Sequence, residues 1–456
     1  MPAERATKLR GVRLRLPNLL ATKPGRLTAF FAFYLTEGIP LGFTATAIAT
    51  QMRRQGLGPA EIGAFVGSLY LPWAFKWVMG PLVDVLSTDR FGRRRLWIIM
   101  MQVMMVVTLM MALPVNFTTE LKLFTFIILL HNCFAATQDV AIDALAVSVL
   151  PEQERGLANG LMFGGAYLGQ AIGGSGVLFL IPYTGLPATY IFVAAVLMSV
   201  TLLIALPLRE PKGPAREPRQ GSALASVAQQ VGVFARDSYR AFTGSRAAWV
   251  GVIFALLPGG AYALSLALQS NLAVELGLDD HAIGQLALVT TVTSALCCVA
   301  GGWLSDRFGR RRMLALFFVG TSIPGFYLAW IMLQQGWIMP VDPMMPGRPL
   351  PSAMLVNTFW GACIVFALFN GLMYGTRAAM FMDITTPAVA ATQFTAYMAM
   401  SNLVISYSAT WQGFAIDHWG YPITLILDGA AGLVCISLLP FMAGKKAKAA
   451  VVPLAS

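Results

Sequence analysis

Apolar runs of eighteen or more residues, bounded by charges or by Pro/Gly clusters, recur twelve times along a chain of 456 residues. A helix rises about 1.5 Å per residue, so each run is long enough to cross the roughly 30 Å hydrocarbon core of a bilayer. The runs lie near 27–50, 62–83, 96–115, 121–148, 157–181 and 188–208, and then near 248–271, 283–304, 313–333, 354–382, 388–415 and 422–442. Only 12% of residues are charged, against about 25% in soluble domains. Little chain is left for a domain outside the membrane, so soluble-enzyme readings are weak. The expected class is an all-α membrane protein.

The five cysteines sit inside apolar runs with no metal-binding spacing and read as packing residues. The formal charge of +11 reflects basic residues retained on the cytoplasmic side rather than nucleic-acid binding. With the N-terminus inside, the tail, the even-numbered loops and the C-terminus carry 26 of the 32 Lys and Arg residues. The outer loops carry Arg53, Arg54, Lys122 and Arg348, with Arg53–Arg54 a local exception, and Lys76 and Arg377 fall inside spans. Both termini are therefore expected in the cytoplasm. The first run is too long for a signal-peptide core and is expected to stay as a span.

The expected organisation is a basic tail (1–26), a six-helix bundle (27–208), a charged linker (209–247), a second six-helix bundle (248–442) and a short tail (443–456). Within the linker, Leu224, Val227, Val231, Phe234 and Phe242 recur near helical spacing. They suit either an amphipathic helix on the membrane surface or a solvated connection.

Arg90-Phe91-Gly92-Arg93-Arg94-Arg95 recurs identically as Arg307-Phe308-Gly309-Arg310-Arg311-Arg312. Each copy follows a Gly-x-Leu-x-Asp span end, Gly80 to Asp84 in one half and Gly302 to Asp306 in the other. The Gly permits close helix contact, and the Asp can pair with a following Arg or a helix N-terminus, making a cytoplasmic latch. This pattern resembles the loop signature of the major facilitator superfamily. The second copy fits throughout, whereas the first carries a five-residue insertion, so either Asp84 or Asp89 takes the acidic role beside Arg90. The resemblance implies two six-helix bundles around a central cavity, working by alternating access.

A charge at mid-bilayer costs about 2.5–3.5 kcal/mol and needs a partner or a wet path. Counted from the cytoplasmic ends of their spans, Glu37, Lys76 and Asp143 fall in one layer, about 12–17 Å deep at helical rise. Asp139 is one turn from Asp143 on the same face. Three acids around one Lys can switch protonation as Lys76 changes partner, or a Lys76–Asp pair can simply hold two helices together. Asp428 has no obvious partner. Arg377 reads as an anchor for an anionic solute group or as a side chain reaching for the surface. Tyr34, Trp73, Gln138 and Gln393 are further candidate contacts, within a wider polar set that includes Tyr262, Gln269, Asn370 and Tyr374. The span-5 glycines (Gly156, Gly160, Gly164, Gly165, Gly169 and Gly173) read as packing notches, and no ATP-binding loop motif exists.

Four stretches narrow the resemblance: Phe33 to Phe43, Pro72 to Trp77, Ala136 to Asp143 and Glu154 to Gly160, with Ala391 to Phe394 in the second half. They are similar to the AmpG-like permease group of muropeptide permeases, siderophore permeases and an acetyl-CoA transporter. Muropeptide permeases of that group usually carry two further spans, so the compact form is more like the siderophore permeases. The resemblance implies a proton-driven importer of a mid-sized organic solute in the bacterial inner membrane. Its partners would be the solute, protons and lipid, and it would act as a monomer without metal or cofactor. Export, a non-transporting sensor and a membrane-embedded enzyme remain alternatives. The last lacks a nucleophile–base or metal set within the spans.

Overall fold

The computed structural model describes residues 18–86, 92–211, 223–265, 267–385 and 390–442. All regular structure among them is helical. In the first half the elements are α1 (Lys23–Gly42), α2 (Ala49–Arg54), α3 (Pro59–Ala74), α4 (Met79–Val85), α5 (Arg95–Ala112), α6 (Leu121–Val149), α7 (Glu152–Ala171), α8 (Val177–Thr184) and α9 (Leu186–Val200). A linker helix α10 (Ala223–Thr243) carries the helical spacing read in residues 209–247. The second half holds α11 (Arg246–Leu256), α12 (Ala267–Glu275), α13 (Asp280–Phe308), α14 (Arg310–Gln335), α15 (Ala353–Ile384) and α16 (Ala390–Val434).

Eight helices among the described residues are long and apolar enough to cross a membrane. Other apolar runs are interrupted or merged. Residues Phe75–Val78 tighten the passage from α3 to α4. The run at 248–271 is broken between α11 and α12, and Gly420 kinks α16.

α7 lies along α1 because Gly165, Gly169 and Gly173 let the backbones touch: a Cβ at any of them would collide with the carbonyls of Phe31, Leu35 or Ile39. α3 packs on α16, α13 on α15, and α8 meets α13, so the halves join through helices from each. Gly80, Gly160 and Gly302, towards the Arg-rich loops, face open space instead.

The break between α11 and α12 leaves backbone groups that a helix would have paired. Gly260, at φ +84°, makes the turn. Its N–H donates to the Gly432 carbonyl at 3.2 Å, and the Ala261 N–H to Thr321 Oγ1 at 3.1 Å. Asp428, 2% exposed, accepts from the Tyr262 and Ala263 amides at 2.8 and 2.9 Å and from Gln412 Nε2 at 2.7 Å. The carboxylate without an evident partner in the sequence thus binds the unwound segment of another helix.

Candidate functional site

Between the halves lies a chamber of about 180 Å³, walled by α1, α3, α7, α12, α13 and α15. Its polar lining includes Thr46, Tyr70, Tyr167, Gln170, Gln269 and Asn370, together with Ser and Thr hydroxyls, and no charged residue lines it among the described residues. Such a surface offers donors and acceptors in fixed places without the desolvation cost of a buried ion.

One helical turn from Leu41 in that wall stands Glu37, the first member of an acid cluster. Lys76 Nζ donates to Asp139 Oδ2 at 2.9 Å, and Tyr34 Oη donates to Asp143 Oδ1 at 2.7 Å. Trp73 lies beside Glu37, whose Oε2 is buried and has no hydrogen-bond partner. The layer read from helical rise is therefore a real cluster. Two positions differ in use from the sequence reading. Tyr34 is bonded to Asp143 rather than to the chamber. Gln138 Nε2 donates to Thr36 Oγ1 at 2.9 Å, in a buried network with Gln102 and Thr201. Tyr34, Trp73, Gln138, Gln393 and Arg377 are all buried, and none of them is in the chamber wall. Gln269 and Asn370, from the wider polar set, are.

Arg377 sits on the second half's side, 6% exposed. Its Nη1 donates to Tyr262 Oη at 2.5 Å, and its guanidinium lies 5.5 Å from the Tyr374 ring centre. No carboxylate is paired with it among the described residues.

The pair Arg53–Arg54, which breaks the charge bias, bonds to α12 and α13, two of the helices that wall the chamber. Arg53 Nη2 meets Glu275 Oε1 at 2.6 Å, with Arg53 3% and Glu275 0% exposed. Tyr421 Oη and the Val341 N–H also donate to Glu275, at 2.5 and 2.9 Å, while Arg53 donates to the Leu57 and Val341 carbonyls. Arg54 Nε pairs with Asp280 at 2.6 Å, and Gln51 bonds the same carboxylate. These contacts join α2 to α12 and α13 across the halves. Sequence reasoning passed over Glu275 and Asp280; the misplaced arginines were the available signal.

In the second Arg-rich loop, Asp306 pairs with Arg310 at 3.0 Å, and Arg310 Nη1 also binds Asp383 at 2.5 Å. Arg307, adjacent to Asp306, instead stacks over Trp303 and Phe308. In the first loop, Asp89 and Arg90 and the side chain of Asp84 lie outside the described residues. There Glu210 of the linker accepts from the Arg94 and Arg95 amides at 2.8 and 3.3 Å, capping α5. Gly92 and Gly309 hold matching left-handed turns, φ +90° and +95°, as expected of duplicated loops.

The sequence profile of the Major Facilitator Superfamily matches residues 27–268 and 250–454. The anhydromuropeptide permease of Escherichia coli K12 is 26% identical over 416 residues, covering 88% of this chain and 77% of that one. A putative transporter, AmpG 4, of Rickettsia conorii is 24% identical over 318 residues, 68% and 74% of the two chains. Among solved structures, a D-xylose–proton symporter superposes with a TM-score of 0.68 at 12% identity over 92% of this chain and 98% of that one. The nucleoside transporter NupG does so with 0.65 at 14% identity over 91% and 98%. At those identities the likeness is one of fold.

Proposed function

Because this chain belongs to the Major Facilitator Superfamily and is a multi-pass transporter of the inner membrane, we propose that it imports a mid-sized organic solute by proton-coupled alternating access. Twelve crossings place both termini in the cytoplasm, with the bundles divided at residues 209–247, and the chain acts as a monomer. The reading rests on a charge-free chamber one helical turn from a cluster that sets three carboxyls against one ammonium. Neutral donors and acceptors in the wall suit hydroxyl and amide groups. Arg377 suits a single acidic group on the same solute. A saccharide–peptide fragment of the cell wall has that composition, which agrees with the anhydromuropeptide permease among the relatives. A siderophore is the second reading, favoured by the uncompensated Arg377 cation.

Surplus carboxylate over ammonium lets Glu37, Asp139 and Asp143 hand a proton across while Lys76 changes partner. In this reading the ion pairs of Arg53 with Glu275 and of Arg54 with Asp280 hold the outer side shut. The Arg-rich loops, with Gly80, Asp84, Asp89, Arg90, Gly92 and Arg93 in one half and Gly302, Asp306, Arg307, Gly309 and Arg310 in the other, steady the cytoplasmic side.

Purified protein is heated with anhydromuropeptide, ferric siderophore, peptide or coenzyme A ester, and the stabilising class is then tested for uptake into proteoliposomes with an inward proton gradient. A ligand at a hundred times its Kd adds about 2.7 kcal/mol. Anhydromuropeptide is expected to raise the melting temperature and to accumulate until a protonophore is added, with Gln269→Leu raising KM. Stabilisation by the ferric siderophore alone would replace the first solute class with the second. Outward pumping of the stabilising ligand would reverse the direction.

A further inference from the structure

We propose that a pocket of about 980 Å³ beside the second Arg-rich loop binds the headgroup of an anionic phospholipid. It opens where the ends of α13, α14 and α15 meet the C-terminal turn Cys435–Phe441. The inference is independent of what the chamber carries.

The pocket has two unlike surfaces. Its floor is apolar, formed by Met380, Leu439 and Met442, each 2–3% exposed, with Ile436 and Ala315 beside them. Its rim holds Arg310, Arg311 and Arg312. Arg310 is already committed to Asp306, Asp383 and the Ala379 carbonyl, and among the described residues those two are the only carboxylates in the lining. Arg311 makes one long bond, 3.5 Å to the Pro440 carbonyl. Neither Arg311 nor Arg312 is paired with a carboxylate among the described residues. Two guanidinium groups with no carboxylate partner among the described residues therefore border a greasy recess.

Neighbouring aromatics set the depth. Trp303, 60% exposed, lies under Arg307 at 5.7 Å, and the half-exposed Phe441 lies under Arg246 at 5.1 Å. Exposed aromatic rings capped by cations are characteristic of the membrane–water boundary. At that level a phospholipid can set its phosphate between Arg311 and Arg312 while its glycerol and upper chains cover the floor. Inorganic phosphate would use the rim alone.

The test uses full-length protein stripped of lipid, with native mass spectrometry to count retained phospholipid and thermal unfolding in nanodiscs of phosphatidylcholine with or without phosphatidylglycerol. Wild type is expected to retain phosphatidylglycerol over phosphatidylcholine and to melt higher when it is present. Arg311→Gln with Arg312→Gln should cut that retention about thirtyfold, the scale expected of two surface phosphate contacts, without changing melting in phosphatidylcholine alone. Ala315→Phe keeps every charge but fills the floor, and should reduce retention as well. Equal retention in either variant overturns the proposal. So does equal stabilisation by inorganic phosphate, or an equal loss from Arg236→Gln with Arg240→Gln on exposed α10.

Discussion

At Asp139 and Asp143, one turn apart, the same side chain has two different partners. Asp139 neutralises Lys76, whereas Asp143 accepts only from the Tyr34 hydroxyl. Asp139→Asn leaves a largely buried ammonium unpaired and should destabilise by up to about 3 kcal/mol; Asp143→Asn should cost under about 1 kcal/mol, both read by thermal unfolding. Asp143→Asn should also abolish uphill accumulation while leaving downhill exchange intact. Wild-type accumulation in that variant would refute its proton-carrying role. At the loop end of α7, Arg26 bonds Glu154 through two nitrogens at 2.7 and 2.9 Å and holds its carboxyl below the usual carboxylate range. The stabilisation from this pair is full above the ordinary carboxylate pKa and fades as pH falls through the lowered one. Glu154→Gln should therefore flatten the acid limb of the stability profile, measured as melting temperature against pH.

Among elements, the glycine stripe of α7 and the half-helix α12 govern how the halves are built and joined. Gly169→Leu drives a side chain into the backbone of α1 and should cost more than about 3 kcal/mol. Gly160→Leu, in open space, should be near neutral in the same melting experiment. α12 is tied to the first half through Glu275 and bounded on its other side by the unwound segment. Glu275→Gln keeps much of the hydrogen-bonding shape but leaves Arg53 without its counter-charge, so this contact between the halves should open more often.

On the scale of the molecule, the proposed closure of the outer side predicts which face of the membrane reaches the chamber. A cysteine at Thr46, a wall residue, in a background lacking the native cysteines, should react with an impermeant thiol reagent in inverted vesicles and resist it in right-side-out ones. Glu275→Gln should bring the two rates within about tenfold. Equal rates in the parent protein would show that the clamp does not close the outer side. The same scale explains why polar residues on paper do not all reach solute. Gln138 was legible as an intramembrane polar group, but only the relative rotation of α1, α5 and α6 decides that it faces Thr36 and not the cavity.

What the chain determines by itself is one-dimensional. Run length sets the helices, the 26 of 32 cations on the two tails and one set of loops suggest an orientation, the duplicated RFGRRR marks two related halves, and helical rise brings Glu37, Lys76 and Asp143 to one depth. Those properties depend on spacing along a helix of fixed pitch. The tertiary structure alone decides pairings between distant helices. It matches Arg53 with Glu275, 222 positions away, lays Asp428 on the unwound backbone before α12, and leaves Arg377 without a carboxylate among the described residues. Depth is periodic and additive along a sequence, whereas contact across a packed interface depends on the rotation and crossing of every helix at once.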